Sequence, residues 1–366
     1  MTPGIVSPEF SMIDLSNLDR AEIEAAFAEL GVPRFHGRQV FHWIYRRGVT
    51  DFAAMTDLGR ELRTALAQSY CVSTPVLESR QTSTDGTTKF LLRLQDGRHI
   101  ESVYIPDTPA QTFCISTQVG CAMNCAFCLT GKMGLTRNLS PGEIAGQARV
   151  LAHATGLADQ PFNIVLMGMG EPLHNYDATI KALGILADAQ GLAVSPRRVT
   201  LSTVGVLPAL KRLASEPLMP NLAISLHGTT EAQRDALVPI NRKYRLEELI
   251  EVCKEFPLRR RGRITFEYVL LDKVNDTPED ARRLVKLLDG VKAKVNLLPL
   301  NEAPGIPFKR PSDERVNAFA KILADRDVLV SVRKSRGRDI RAACGQLIVE
   351  SERRTAGQQL AAALEG

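Results

Sequence analysis

Apolar residues in the middle of the chain come in short runs separated by amphipathic stretches. The runs are 113–117 (FCIST), 162–168 (FNIVLMG), 198–203 (RVTLST), 222–227 (LAISLH), 264–271 (ITFEYVLL) and 295–300 (VNLLPL). Runs this short, rich in β-branched residues, predict buried strands. Between them, 140–154 (SPGEIAGQARVLAHA) and 278–290 (PEDARRLVKLLDG) place apolar residues at helical spacing. Six strand-then-helix units predict parallel strands joined by right-handed crossovers. They fit a partial (β/α)6 TIM-like barrel, and spacing alone also allows a doubly wound open sheet. A last strand candidate, 327–333 (DVLVSVR), precedes a polar tail that carries no signal beyond Leu347.

Upstream the period differs. Residues 17–70 read as helical, with Asn17 as a cap and Ile23, Phe27 and Leu30 on one face before Gly31, Val32 and Pro33 stop the helix. Further helices are expected over Gly37–Arg47 and Leu58–Ala67. Residues 75–105 switch to strand-like runs separated by Asp85-Gly86 and Asp96-Gly97, which are hairpin turn signals. The expected fold is α/β: a helical accessory domain (1–73), a small β-hairpin extension (74–110), the partial barrel (111–326) and a C-terminal segment (327–366). The first dozen residues are given no role in it.

The 366 residues suffice for one large core with small appendages. No run approaches the ~18–20 apolar residues of a membrane span, and the start lacks the pattern of a signal peptide. The expected location is the cytoplasm, and a monomer is expected. A net charge of +5, from 46 basic and 41 acidic side chains, permits a polyanionic partner without requiring one. Its placement says more. Arg34, His36, Arg38, His42, Arg46 and Arg47 are interleaved with Phe35, Phe41, Trp43 and Tyr45. Arg259, Arg260, Arg261 and Arg263 form a second run, and Arg333, Lys334, Arg336, Arg338 and Arg341 a third. Single basic runs are usually solvated faces, but three of them favour phosphate contacts.

Seven cysteines, at 71, 114, 121, 125, 128, 253 and 344, are an odd number. With three crowded between 121 and 128 they do not form a secreted disulfide framework, and reduced thiols fit better. Cys121, Cys125 and Cys128, spaced CxxxCxxC after the first barrel strand, could hold a [4Fe–4S] cluster by three irons. The fourth iron would stay open to a small chelator bearing an amine and a carboxylate. A Cys3His zinc site is the competing reading. It lacks a second cysteine pair and a nearby histidine.

The stretches TFCISTQVGCAMNCAFC, GLTRNL, VLMGMGEPLHNY, LSTVG, AISLH, LLPLN and RGRDIRAACGQL run from about residue 101 to 347. Together they resemble the radical S-adenosylmethionine (SAM) superfamily and, within it, the 23S rRNA and tRNA adenine C2 methyltransferases. The resemblance implies that Cys121, Cys125 and Cys128 hold the cluster, that its open iron binds SAM, and that Phe127 shields it from water. It implies that Gly170, Glu171, Ser202, Ser225, Leu226, His227 and Asn301, at strand ends, contact SAM. Glu171 would accept from the SAM amino group. It makes Cys344 the thiol methylated by one SAM, with a second SAM per turnover supplying the radical. It makes Cys114 the resolving thiol that closes a disulfide on Cys344, and Glu101 the proton acceptor. Cys71 and Cys253 match nothing functional and are assigned to packing.

The implied partners are 23S rRNA, tRNA and an electron donor such as flavodoxin. The helical domain would hold folded RNA by shape while the target base is extruded into the barrel. Three readings compete: methylation at carbon 8 of the same adenosine by an antibiotic-resistance relative, a zinc-stabilised RNA-binding protein without catalysis, and a radical SAM enzyme acting on a small molecule.

Overall fold

The computed structural model describes residues 12–106 and 111–349. Residues 1–11 and the end of the 327–366 segment lie outside the described residues. The N-terminal region is helical: α1 (Arg20–Glu29), α2 (Arg34–Tyr45) and α3 (Arg60–Ser69). A parallel pair, β1 (Ile13–Asp14) with β2 (Tyr70–Cys71), brings its two ends together.

Asp19, not Asn17, caps α1. Its carboxylate accepts from the Glu22 amide at 2.9 Å, and Glu22 accepts from the Asp19 amide at 2.8 Å. This reciprocal pair satisfies two amides that the first turn leaves free. Asn17 ends a short 3-10 turn instead, and its side chain accepts from the Gly142 amide at 3.0 Å, which ties the bundle to the barrel.

The aromatic residues of α2 are also corrected. Phe41, Trp43 and Tyr45 are buried and belong to the core, while Phe35 stays exposed. Three rings bury more apolar area packed inside than they could on a surface. Arg38 lies 3.7 Å from Glu24 and Arg46 2.8 Å from Asp159, so two cations of this helix already have acidic partners.

β3 (Val76–Thr82), β4 (Thr88–Arg93) and β5 (His99–Ile105) form an antiparallel meander. Gly86 and Gly97 sit in its turns at positive φ, as the Asp-Gly pairs predict. β5 then pairs with β6 (Thr112–Cys114), so the extension continues the main sheet. After β6 the chain passes through an antiparallel ribbon, β7 (Gln118–Gly120) with β8 (Leu135–Asn138), that brackets a short helix, α4 (Leu129–Met133). β9 (Asn163–Leu166), β10 (Val199–Thr203), β11 (Asn221–Ser225), β12 (Ile264–Leu270), β13 (Ala293–Pro299) and β14 (Val330–Val332) follow β6 in parallel.

The strand order, β14-β13-β12-β11-β10-β9-β6-β5-β4-β3, runs with the chain and never reverses. A doubly wound sheet reverses at its switch point, so the winding is that of an open barrel. β14 makes a seventh parallel strand beyond the six units. The remaining helices are α5 (Pro141–Ala154), α6 (Tyr176–Ala187), α7 (Leu207–Leu213), α8 (Glu231–Leu237), α9 (Leu246–Glu255), α10 (Pro278–Leu287) and α11 (Asp313–Ala324). α5 starts with a capping box, Ser140 with Glu143, and α10 with another, Thr277 with Asp280. β12 is buried along its whole length, and Glu267 is its one charged residue. Among the described residues no helix is long and apolar enough to cross a membrane.

Candidate active site

Cys121 directly follows β7 and Cys128 directly precedes α4, so the three-cysteine loop is clamped at both ends. The Cys121 amide donates to the Gly134 carbonyl at 3.0 Å and the Cys128 amide to the Cys125 carbonyl at 3.2 Å. Met123, Val204, Leu237, Val269 and Leu300 surround the loop with apolar side chains. Burial pushes all three thiols up, Cys121 to about 12, and neighbouring cysteines raise Cys121 and Cys125 further. Three thiols gathered this way become thiolates only with a cation among them. Among the described residues no three His, Cys, Asp or Glu groups converge as ligands of a single ion do. A mononuclear zinc site needs that convergence. In a cluster each thiolate holds its own iron, so the sulfurs stand apart. All three cysteines line one cavity of about 170 Å3, and this donor set fits an iron–sulfur cluster.

Gly170, Glu171, Ser202, Ser225, His227 and Asn301 line the same cavity from the C-terminal ends of the strands. Such ends are where barrel folds place their sites. Gly170 has φ +103°, and a Cβ there would meet Gln118 at 2.7 Å, so the turn requires glycine. The Glu171 carboxylate accepts from the Leu173 amide at 3.0 Å and the Val204 amide at 2.9 Å, and burial pushes its pKa up to about 7. The Ser202 and Ser225 hydroxyls are 3.3 Å apart.

His227 holds φ +60°, rare for a residue with a side chain. Its Nδ1 accepts from the Val269 amide at 3.0 Å, and its carbonyl accepts from Asn275 Nδ2 at 2.8 Å. The proton of the neutral ring therefore sits on Nε2. Burial, and then Arg234, push its pKa down to about 3, so the ring is neutral. Phe127 meets this ring edge-on with centroids 4.7 Å apart, closing the cavity beside the cysteine loop. Asn301 Oδ1 is buried without a hydrogen-bond partner among the described residues, an acceptor suited to a donor on a ligand. Leu226 is different. Its side chain is packed in the core off the cavity wall, and its amide donates to the Glu267 carbonyl at 3.0 Å.

Cys344 is exposed and lines both this cavity and a second one of about 390 Å3. Cys114, the last residue of β6, lines only the second. Both thiols thus face the second cavity, and burial, with Cys344 adding to it, raises the Cys114 thiol. All seven cysteines are free thiols. The segment carrying Cys344 is fastened to α4: the Leu129 amide donates to the Gly345 carbonyl at 2.8 Å and the Thr130 hydroxyl to the Leu347 carbonyl at 2.7 Å. Glu101 is buried, accepts from the Ile348 amide at 2.9 Å and pairs with Lys89 at 2.8 Å. It lines neither cavity.

Two residues of the site were not singled out from the sequence. Glu267 lines both cavities, and its carboxylate accepts from Asn296 Nδ2 at 2.8 Å. Its signal was a lone charge inside the run ITFEYVLL. Arg234 of α8 is 1% exposed and donates to the carbonyls of Leu226 at 3.1 Å, Ser225 at 3.4 Å and Val204. It thus binds the ends of β10 and β11 together beneath the cavity, and nothing in its local sequence marks it.

Two family models match the chain: the ribosomal RNA large subunit methyltransferase N-terminal domain over residues 13–72, and the radical SAM superfamily over residues 115–288. The protein named dual-specificity RNA methyltransferase RlmN of Syntrophotalea carbinolica is 50% identical, over 92% of this chain and 89% of that one. The protein of the same name from Anaeromyxobacter dehalogenans is 47% identical over 96% of both. The crystal structure of a radical SAM methyltransferase from Sphaerobacter thermophilus matches with a TM-score of 0.87 at 46% identity, covering 92% of this chain and 99% of that one. Similarity of this extent spans the helical bundle, the cysteine loop and the Cys344 segment alike, and the chain belongs to the RlmN family of dual-specificity RNA methyltransferases, within the radical SAM superfamily.

Proposed function

We propose that this protein methylates carbon 2 of an adenosine in 23S rRNA, at the peptidyl-transferase centre, and of the adenosine 3′ to the anticodon in tRNA. One observation carries the reading: the Cys344 thiol stands between a cavity walled by three cysteines and a cavity that holds a second thiol, Cys114. Family membership sets aside methylation at carbon 8, the zinc-stabilised non-catalytic protein and the small-molecule enzyme.

Cys121, Cys125 and Cys128 would hold a [4Fe–4S] cluster, which together with SAM would supply a methyl group and, on reduction, the hydrogen-abstracting chemistry. Adenine carbon 2 is electron-poor and its C–H is not acidic, so a polar displacement at SAM does not serve. Cys344 accepts a methyl group on sulfur. After losing one hydrogen atom that carbon adds to carbon 2, which links protein and RNA. The adduct returns its unpaired electron to the electron carrier and gives its carbon 2 proton to Glu101, whose carboxylate Lys89 steadies. Cys114 Sγ then attacks Cys344 Sγ. A disulfide forms, the carbon–sulfur bond breaks, and its electron pair stays with the methylene carbon now attached to carbon 2, which picks up a proton to become the methyl group. Each turnover uses two SAM molecules and leaves a disulfide to be reduced. Residues 1–73 dock the RNA, residues 74–110 link them to the barrel at 111–326, and residues 327–366 present Cys344. The protein acts as a cytoplasmic monomer with an electron donor such as flavodoxin.

The test is anaerobic reconstitution with SAM, a reductant and either RNA, followed by mass spectrometry of the adenosine. A methyl group on carbon 2 in both RNAs is the expected result, and none in either defeats the proposal. Glu171 adds a pH prediction. With a pKa near 7 in the free cavity it is protonated at lower pH and gives up a lone pair with which to accept from the SAM amino group. SAM affinity should therefore fall as pH drops below 7, by up to about tenfold per unit. Glu171→Gln should flatten the profile in equilibrium dialysis.

A further inference from the structure

The second cavity is a large space in the barrel that the cofactor assignment leaves unused. It reaches toward the N-terminal ends of the strands, opposite the cofactor wall. Asn163 and Asn221 begin β9 and β11, Arg197 and Arg198 directly precede β10, and Lys294 is the second residue of β13. A closed eight-stranded barrel fills this region with layers of side chains. Here the sheet is open at β14, and a volume of about 390 Å3 persists.

Four cations line it: Arg197, Arg198, Lys294 and, just past β14 on the free edge of the sheet, Arg333. Among the described residues, none of the four has a carboxylate within salt-bridge distance, although Arg20, Arg38, Arg46 and Arg137 elsewhere all do. Deeper in, Glu267 accepts from Asn296 through one carboxylate oxygen, and Asn296 Oδ1 in turn accepts from the Ser331 hydroxyl at 2.7 Å. Among the described residues no donor reaches the other Glu267 oxygen. An acceptor that lines a cavity with one oxygen unclaimed can take a proton from a ligand there. Cys114 and Cys344 both line this space.

We propose that the target nucleotide enters the barrel through this second cavity, with Arg197, Arg198, Lys294 and Arg333 holding its flanking phosphates and Glu267 accepting from the adenine 6-amino group. This rests on the RNA-methyltransferase reading above and extends it to the route and the recognition of the base. From this side the base meets Cys344 with Cys114 on the same cavity wall. The cations act on any sequence, and the Glu267 oxygen selects adenine.

The experiment uses the anaerobically reconstituted full chain and a tRNA anticodon stem–loop, with affinity read by fluorescence anisotropy across a salt series. Changing Arg197, Arg198, Lys294 and Arg333 to Gln, singly and together, should weaken binding. It should also lower the log–log salt slope by roughly 0.7–0.9 for each phosphate that is no longer neutralised. SAM binding and RNA-independent SAM cleavage should be unchanged. A second arm replaces the target adenine with purine, which lacks the amino group. The unmodified protein should bind this loop about tenfold more weakly, within the range of a base-specific hydrogen bond. In Glu267→Gln, Asn296 keeps the side-chain oxygen occupied and the amide nitrogen faces the base, so the preference for adenine should vanish. Unchanged RNA affinity and slope in the four-cation variant would overturn the proposal. So would intact RNA binding combined with slower reduction of the Cys114–Cys344 disulfide by an anionic thiol, which would make the cavity a port for reductant. Failure of the unmodified protein to cleave SAM or methylate RNA would instead defeat the underlying functional reading.

Discussion

Cys114→Ala protein, incubated anaerobically with SAM, reductant and tRNA, accumulates a covalent protein–RNA species that survives denaturing electrophoresis. Cys114 and Cys344 face the same cavity, and the only other thiol on its wall is Cys128, a proposed cluster ligand. No free thiol remains to attack the Cys344 sulfur, so the carbon–sulfur link formed during turnover persists. The variant should consume at most about one RNA per chain, as a trapped covalent intermediate requires. Peptide mass spectrometry should place the link on Cys344, and the double variant Cys114→Ala/Cys344→Ala should form none. Ready multiple turnover by Cys114→Ala would show that some other group resolves the adduct, and the two-thiol assignment would fall.

Arg234→Met is expected to be the most destabilising single change near the site. The guanidinium is buried and, among the described residues, has no ion-pair partner; it donates to the carbonyls of Ser225, Leu226 and Val204 and to the Asn241 side chain. Burial pushes its pKa down to about 10, so it stays charged at neutral pH. Methionine fills much of the volume and removes the buried charge, but it takes a donor from three carbonyls, of which Leu226 keeps another, the Gly228 amide at 2.8 Å. At about 1–3 kcal/mol for each orphaned group, less the charge relief, the loss should be on the order of 3 kcal/mol. The urea midpoint followed by far-ultraviolet circular dichroism would report it. Arg234→Lys should recover part of the loss, because one ammonium cannot span all three acceptors. An unchanged midpoint for Arg234→Met would show that the carbonyls find water instead.

Much of the site was legible because its signals are local. The CxxxCxxC spacing, the GMGEP turn and the apolar runs announce themselves within a few residues, and the strands fall where the runs do. What escaped depends on partners distant in sequence. Asn17 looked like a cap, yet Glu22 selects Asp19, and Asn17 is taken up by Gly142. The aromatic residues interleaved with the basic run of α2 gave no sign of which would be buried until the bundle packed around Phe41 and Tyr45. Winding direction was undecidable from spacing, since it is set by which strands pair. Glu267 and Arg234 acquire meaning only when β10, β11 and β12 bring their ends together. Glu101 remains a proposed proton acceptor, its carboxylate held in the free protein by Lys89 and the Ile348 amide.

The fastening of the Cys344 segment to α4 has a consequence for biogenesis. The cysteine loop is translated long before residue 344, and its own backbone bonds to Gly134 need nothing from the later segment. A growing chain therefore offers an open pocket into which iron and sulfide can be delivered. The sulfur of Cys344, the proposed methyl acceptor, arrives only afterwards, when Gly345 and Leu347 latch onto Leu129 and Thr130. Inorganic maturation and chemical competence are thus separated in time, and an unfinished polypeptide has no methyl-carrying group to misdirect.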